Sequence, residues 1–158
     1  MIHAPDLQTL VIRPALLAIG LHSDASERLL VGTAATESTV GTVTRLRQTV
    51  GPALGIFQIE PATHQDVWRN YLAFRPELAA RVRALCPSEY VQPDGTIEDT
   101  ALVGCLPYAA AIARLVYVRA KPPLPAADDV PGLADYWVRF YNRGGKGTVA
   151  KFMQAWPL

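Results

Sequence analysis

No stretch of this chain approaches the ~20 consecutive apolar residues that a membrane-spanning helix needs. The longest candidate, 101–118, is broken by Gly104, Pro107 and Arg114. Charge is scarce, at 18% of residues, and it has almost no sign: 15 basic residues stand against 14 acidic ones, for a net charge of +1. A protein that coats nucleic acid needs a basic excess, so that class is excluded. Hydrophobic residues make up 50% of the 158, which excludes a disordered chain. The start, Met1 to Asp6, lacks the basic segment of a secretory signal, and the apolar run 15–21 reads as a core helix.

Cysteine is also scarce. Cys86 and Cys105 could pair, but a domain of this length buries enough surface to need no disulfide or metal staple. Buried free thiols are the expected state. The three histidines, His3, His22 and His64, are far apart and show no metal-ligand spacing, so no metal and no cofactor are expected. His64 reads as a surface or packing residue. The run Gly144-Gly145-Lys146-Gly147-Thr148 resembles a phosphate loop in letters only. It lacks the first glycine and the closing Ser or Thr, and no strand leads into it.

Proline and glycine punctuate a series of short helices. Asp6 is expected to cap a helix over 7–12, and Pro14 to open one over 14–21. Ser23, Asp24 and Ser26 are all candidate caps for a third helix running through Glu37, and Asp24, with Glu27 three residues on, is the best of them. Gly41 and its neighbours read as the exit of that helix. Residues 42–59 lose helical periodicity, which predicts irregular chain with a small β-hairpin. Further helices are expected over 61–72, 76–85, 99–120 (interrupted near Pro107), 133–142 and 148–155. Residues 121–132, with four prolines and two aspartates, read as an exposed extended connection. The expected fold is a single domain over residues 1–158, mainly α with a minor β-hairpin or irregular β element.

Three clusters carry chemistry. Leu30, Ala34 and Glu37 share one helix face, so Glu37 continues an apolar stripe into the last helical turn. Burial and the unpaired carbonyls there both disfavour its ionised form, which raises the pKa. A carboxyl kept protonated near neutral pH can act as a general acid. A glutamate turning outward at a frayed helix end fits the same spacing. The second cluster runs from Gly51 to Thr63. Gly55 permits close approach of backbone or ligand, and the Gln58 amide suits sugar hydroxyl and amide groups. The third runs from Tyr136 to Gly145, where Trp137, Phe140 and Tyr141 share a face that serves either the core or a sugar platform.

In order and spacing, Glu37-Ser38, then Gly55-Ile56-Phe57-Gln58 with Pro61-Ala62-Thr63, then Tyr141-Asn142-Arg143-Gly144 resemble the lytic transglycosylases of the soluble, goose-lysozyme-like superfamily, in a short form of the kind tailed bacteriophages carry. The resemblance spans residues 29–148, and Phe140 stands where that family usually has Ala. It implies a lysozyme-like fold around a groove for peptidoglycan glycan strands, cut between N-acetylmuramic acid and N-acetylglucosamine. Glu37 would be the catalytic acid and then the base that closes a 1,6-anhydro ring. Gly55, Ile56, Phe57 and Gln58 would line the sugar site, Tyr141 would orient or hydrogen-bond Glu37, Asn142 would brace it and Ser38 would support it. The implied setting is a phage virion, with other virion proteins as partners, or host cytoplasm before lysis. Glu60 and Asp66 are the nearest candidates for a second carboxyl, and both read more readily as helix-terminus or solvated-face residues. A water-using muramidase and a non-catalytic glycan-binding or structural protein on the same scaffold remain the alternatives.

Overall fold

Helix dominates the computed structural model, which describes residues 2–38 and 51–158. The first rod comprises α1 (Ala4–Asp6), a π-helical segment Leu7–Ile12 and α2 (Arg13–Ala18), without a break between them. Asp6 is therefore not a cap: it lies in helical backbone with no capping bond. Pro14 stands in the first turn of α2, as expected, but α2 runs on from the π-helical segment without a break and ends at Ala18. Pro14 has no N–H to give the preceding turn, and the wider π-turn, with Arg13 N–H bonded to the Gln8 carbonyl, lies immediately before it. The rod ends three residues before Leu21: the N–H of Gly20, at φ +73°, bonds Leu17 O, and that of Leu21 bonds Leu16 O.

Helix α3 (Asp24–Ser38) is capped by Ser23, not Asp24. Ser23 Oγ accepts the Ser26 N–H at 3.1 Å, and Ser26 Oγ accepts the Ser23 N–H at 2.8 Å. Ser26 thus fills the reciprocal role that an acid usually takes. Glu27 is freed for a different job. Its buried carboxylate receives Gln8, two of the three Arg13 guanidinium nitrogens and His22 at 2.6–2.9 Å, tying the first rod to α3.

Both α3 and α7 (Leu106–Val118) are buried on nearly every side. The polar residues of α3 manage this by bonding back to the preceding turn: Thr33 to Leu29 O, Thr36 to Gly32 O and Ser38 to Ala34 O. Helix α6 (Ala101–Gly104) and α7 make up the expected 99–120 helix, and its interruption near Pro107 falls at Cys105. Pro107 belongs to the first turn of α7, where its missing N–H costs nothing. The small run Ala109-Ala110-Ala111 lets neighbours approach closely, and α2, α3, α4 (Pro61–Asn70) and α5 (Pro76–Ala84) all pack on α7.

Helix α8 (Val130–Phe140) begins earlier than its apolar stripe indicates, because Asp129 accepts the Gly132 N–H and caps it. Helix α9 (Val149–Ala155) is capped by Thr148 and packs on α3 and α8. Gly32 makes that seat possible: a methyl group there would overlap Phe152 and Trp156. The expected exit of α3 and much of the 42–59 segment lie outside the described residues. Among those described there is no strand, only the single bridges Leu54↔Ile59 and Val91↔Ile97. The four-residue turn between Leu54 and Ile59 closes after one pair.

Buried residues from Ala4 to Phe152 form one apolar core. His64 is part of it, not of the surface. Its Nδ1–H donates to Asp99 Oδ1 at 2.6 Å, and its Nε2 accepts from the Tyr108 hydroxyl, which itself accepts the Trp68 indole N–H at 2.8 Å. Burial holds the imidazole below its ordinary pKa, against the opposing pull of Asp99. Cys86 and Cys105 are buried and free. No helix of the described residues is long and apolar enough to cross a membrane.

Candidate active site

A cleft of about 520 Å³ runs between the ends of α3, α7 and α8 and the start of α4. Glu37, in the last turn of α3, lines it together with Gln58, Thr63, Phe140, Tyr141 and Asn142. The three clusters distant in sequence thus supply one cavity. Glu37 is half-buried, and Trp137 Nε1 donates to its Oε1 at 3.0 Å. Burial raises the Glu37 pKa above its ordinary value, against the opposing pull of the Trp137 N–H, the Lys151 charge and the Asn142 amide. A carboxyl in this state is a proton donor over a wider pH range than a solvated one.

Gln58 forms a wall of the cleft from an unusual backbone position. Its φ is +47°, in the left-handed region, and its Nε2 donates to Gly55 O at 2.7 Å. That bond leaves the Gln58 carbonyl as a free-facing acceptor of the amide. Gly55 itself has φ +73°, and a Cβ there would strike the Leu102 carbonyl. The close approach that Gly55 permits is therefore to the backbone of α6. Ile56 and Phe57 are fully buried, so they and Gly55 stand behind the cleft wall and not in its lining. Ser38 is likewise buried, with its hydroxyl bonded to Ala34 O.

Tyr141 does not hydrogen-bond Glu37. Its hydroxyl donates to Phe57 O at 2.8 Å, which clamps the 55–58 turn to the end of α8. Its ring stacks on Tyr117 at 5.0 Å. Tyr117 in turn donates to Thr33 Oγ1 at 2.7 Å, since the Thr33 proton is committed to Leu29 O. Burial raises both tyrosine pKa values, so the floor beneath Glu37 stays uncharged. Asn142 Oδ1 accepts the Gly147 N–H at 3.0 Å, which turns its NH₂ end toward Glu37. Gly145 and Gly147 are the reason that fit is possible: a methyl group on either would overlap Asn142, and one on Gly147 would also overlap Trp137. The glycine run that mimics a phosphate loop serves to seat these two side chains.

Two further carboxyls line the cleft. Glu60 is exposed at the N-cap of α4, without a capping bond. Asp66 is bonded by Asn70 and Arg119, and these two partners lower its pKa. Both lie where the sequence places them, Glu60 at the start of α4 and Asp66 on its partly exposed face, and both line the cavity that holds Glu37. Among the described residues, no group of three His, Cys, Asp or Glu side chains could hold a metal ion.

Sequence reading missed Trp137 as a partner of Glu37. Its position at i−4 from Tyr141, on one helix face, was the only signal, and it could not reveal which way the indole nitrogen points. Lys151 and Gly147 carried no signal at all, since their roles follow from how α9 docks. Comparison with protein-family models, with curated proteins and with solved structures gives no match to this chain.

Proposed function

We propose that this chain is a peptidoglycan lytic transglycosylase with a lysozyme-like catalytic domain, cleaving the β-1,4 bond between N-acetylmuramic acid and N-acetylglucosamine. The observation that carries the reading is Glu37: a half-buried carboxyl of raised pKa, opening onto a cleft that also offers the amides of Gln58 and Asn142. Glu37 gives its proton to the glycosidic oxygen as the C1–O bond breaks and positive charge develops on the muramoyl ring. The N-acetylglucosamine leaves as an alcohol. The Glu37 carboxylate then takes the proton of the muramoyl C6 hydroxyl while O6 bonds to C1. The 1,6-anhydro ring closes without water, and Glu37 is again protonated. Gln58 and Asn142 hold polar groups of the sugars on either side of the bond, and Phe140 offers them an apolar face.

Asp66 favours a second reading. Its ionised carboxylate lines the same cleft, and a hydrolytic glycosidase needs a second carboxyl about 5–5.5 Å or 6.5–9.5 Å from the first. Mass spectrometry of digested sacculi separates the two. Anhydro ends, one water lighter than reducing ends, are expected; reducing ends alone would establish a muramidase. Glu37→Gln is expected to abolish wall clearing. Undiminished clearing would remove Glu37 from the chemistry, and binding of sacculi without turnover by the parent would leave a glycan-binding protein.

A further inference from the structure

The Trp137 side chain is fully buried, and its only polar atom donates to Glu37 Oε1. An indole nitrogen donates and never accepts. The oxygen it meets must therefore present a lone pair whether the carboxyl is charged or neutral. In a neutral carboxylic acid the carbonyl oxygen does this well and the hydroxyl oxygen poorly. We infer that Trp137 is a positioning residue that reserves Oε1 as a permanent acceptor and assigns the working proton of Glu37 to Oε2. This rests on the reading of Glu37 as the acid that gives and recovers a proton. One oxygen then serves both halves of the reaction, and the carboxyl need not rotate between them.

The indole is held from several directions. Phe152 packs on it with ring centroids 5.7 Å apart, and Gly147 leaves room for its far edge. The Lys151 ammonium lies 5.8 Å from the ring centroid, over the electron-rich face. Other ionisable groups surround the carboxyl. Tyr117 of α7 and Tyr141 at the end of α8 stay neutral. Across the cleft stand Glu60, Arg143 and the paired Asp66 and Arg119. No histidine lines the cleft among the described residues. The titration that the indole is placed to report is thus that of Glu37, whose carboxyl it touches and whose pKa burial raises.

Nuclear magnetic resonance of the free protein tests the assignment without any need for turnover. The Trp137 indole ¹H–¹⁵N resonance is expected to move with the same midpoint as the Glu37 carboxyl carbon and to lose that transition in Glu37→Gln. In Trp137→Phe the Glu37 midpoint is expected to rise by about one pH unit, because a donor that favours the charged form is gone. In turnover, kcat should fall about tenfold with little change in KM, and the alkaline limb of the kcat profile should move up with the Glu37 midpoint. Should Trp137→Phe fail to fold, the indole titration of the parent and its loss in Glu37→Gln carry the test by themselves. An indole resonance that stays flat through the Glu37 transition overturns the inference, as does an unmoved midpoint in Trp137→Phe. A parent that clears no sacculi while its indole follows Glu37 overturns the proposed function and leaves the pairing supported.

Discussion

Trp137 and Glu37 are 100 residues apart in the chain, yet Nε1 of one lies 3.0 Å from Oε1 of the other. The bond joins the last turn of α3 to the buried face of α8. It gives a carboxyl that burial disfavours one strong reason to keep its place.

That disfavour has a thermodynamic sign. The folded chain binds the Glu37 proton more tightly than the unfolded chain, because the folded pKa is raised above 4.5. Stability contributed at this position is therefore complete below the unfolded pKa and is lost as pH rises through the folded value. Glu37→Gln keeps an acceptor for Trp137 and cannot ionise. Thermal melts of the two proteins should coincide near pH 4, and the variant should melt higher near pH 8. A difference that does not change with pH would contradict the burial argument.

Gln58 pays for its place in the cleft with left-handed backbone at φ +47°. Gln58→Ala keeps that strain and loses the bond to Gly55 O. Gln58→Gly loses the same bond but removes the strain. The glycine variant should be more stable than the alanine variant by about 1 kcal/mol. Urea unfolding of both measures it, and equal stabilities would mean that the turn relaxes out of the left-handed region.

Glu27 should govern acid stability. Burial pushes its pKa up, but hydrogen bonds from Arg13, His22 and Gln8 prevail and bring it to about 2. The stability this provides is present above the unfolded value of 4.5 and is lost as pH falls toward 2. Glu27→Gln should lower stability by about 2 kcal/mol at neutral pH. The deficit should shrink through that acid window. Denaturant midpoints taken at several pH values would reveal it.

The thiols should be inert in the native protein. Burial pushes Cys86 up to about 12, with Cys105 beside it adding to the effect, and both side chains are shielded from solvent. Reaction with a disulfide reagent at pH 8 should proceed at the rate of unfolding. Immediate reaction of either thiol would mean that the packing between α5 and α7 opens locally.

Much of the helical plan was legible in the letters. Proline opened α4 and α5 where expected, and the stripe through Leu30, Ala34 and Glu37 led inward as its spacing required. Capping was read less well, because Ser23 and Ser26 satisfy each other where Asp24 and Glu27 make the more familiar pattern. Local spacing could not show that Glu27 has a better partner in Arg13, 14 residues earlier. The same limit applies at the site. Glu37, Gln58 and Asn142 are residues whose chemistry advertises itself. The direction of the Trp137 indole, the contact of Tyr141 with the Phe57 carbonyl and the use of Gly55 against α6 are consequences of docking between remote segments.

Gly32 lets α9 settle into α3, and through Phe152 and Lys151 the same helix backs the Trp137 ring. Assembly of the cleft therefore waits on the arrival of residues near 150, long after Glu37 has been synthesised. A nascent chain halted before Thr148 would contain the acid but not Lys151 or Phe152, the side chains that brace its indole from behind, so ripening of the site is timed by the synthesis of α9.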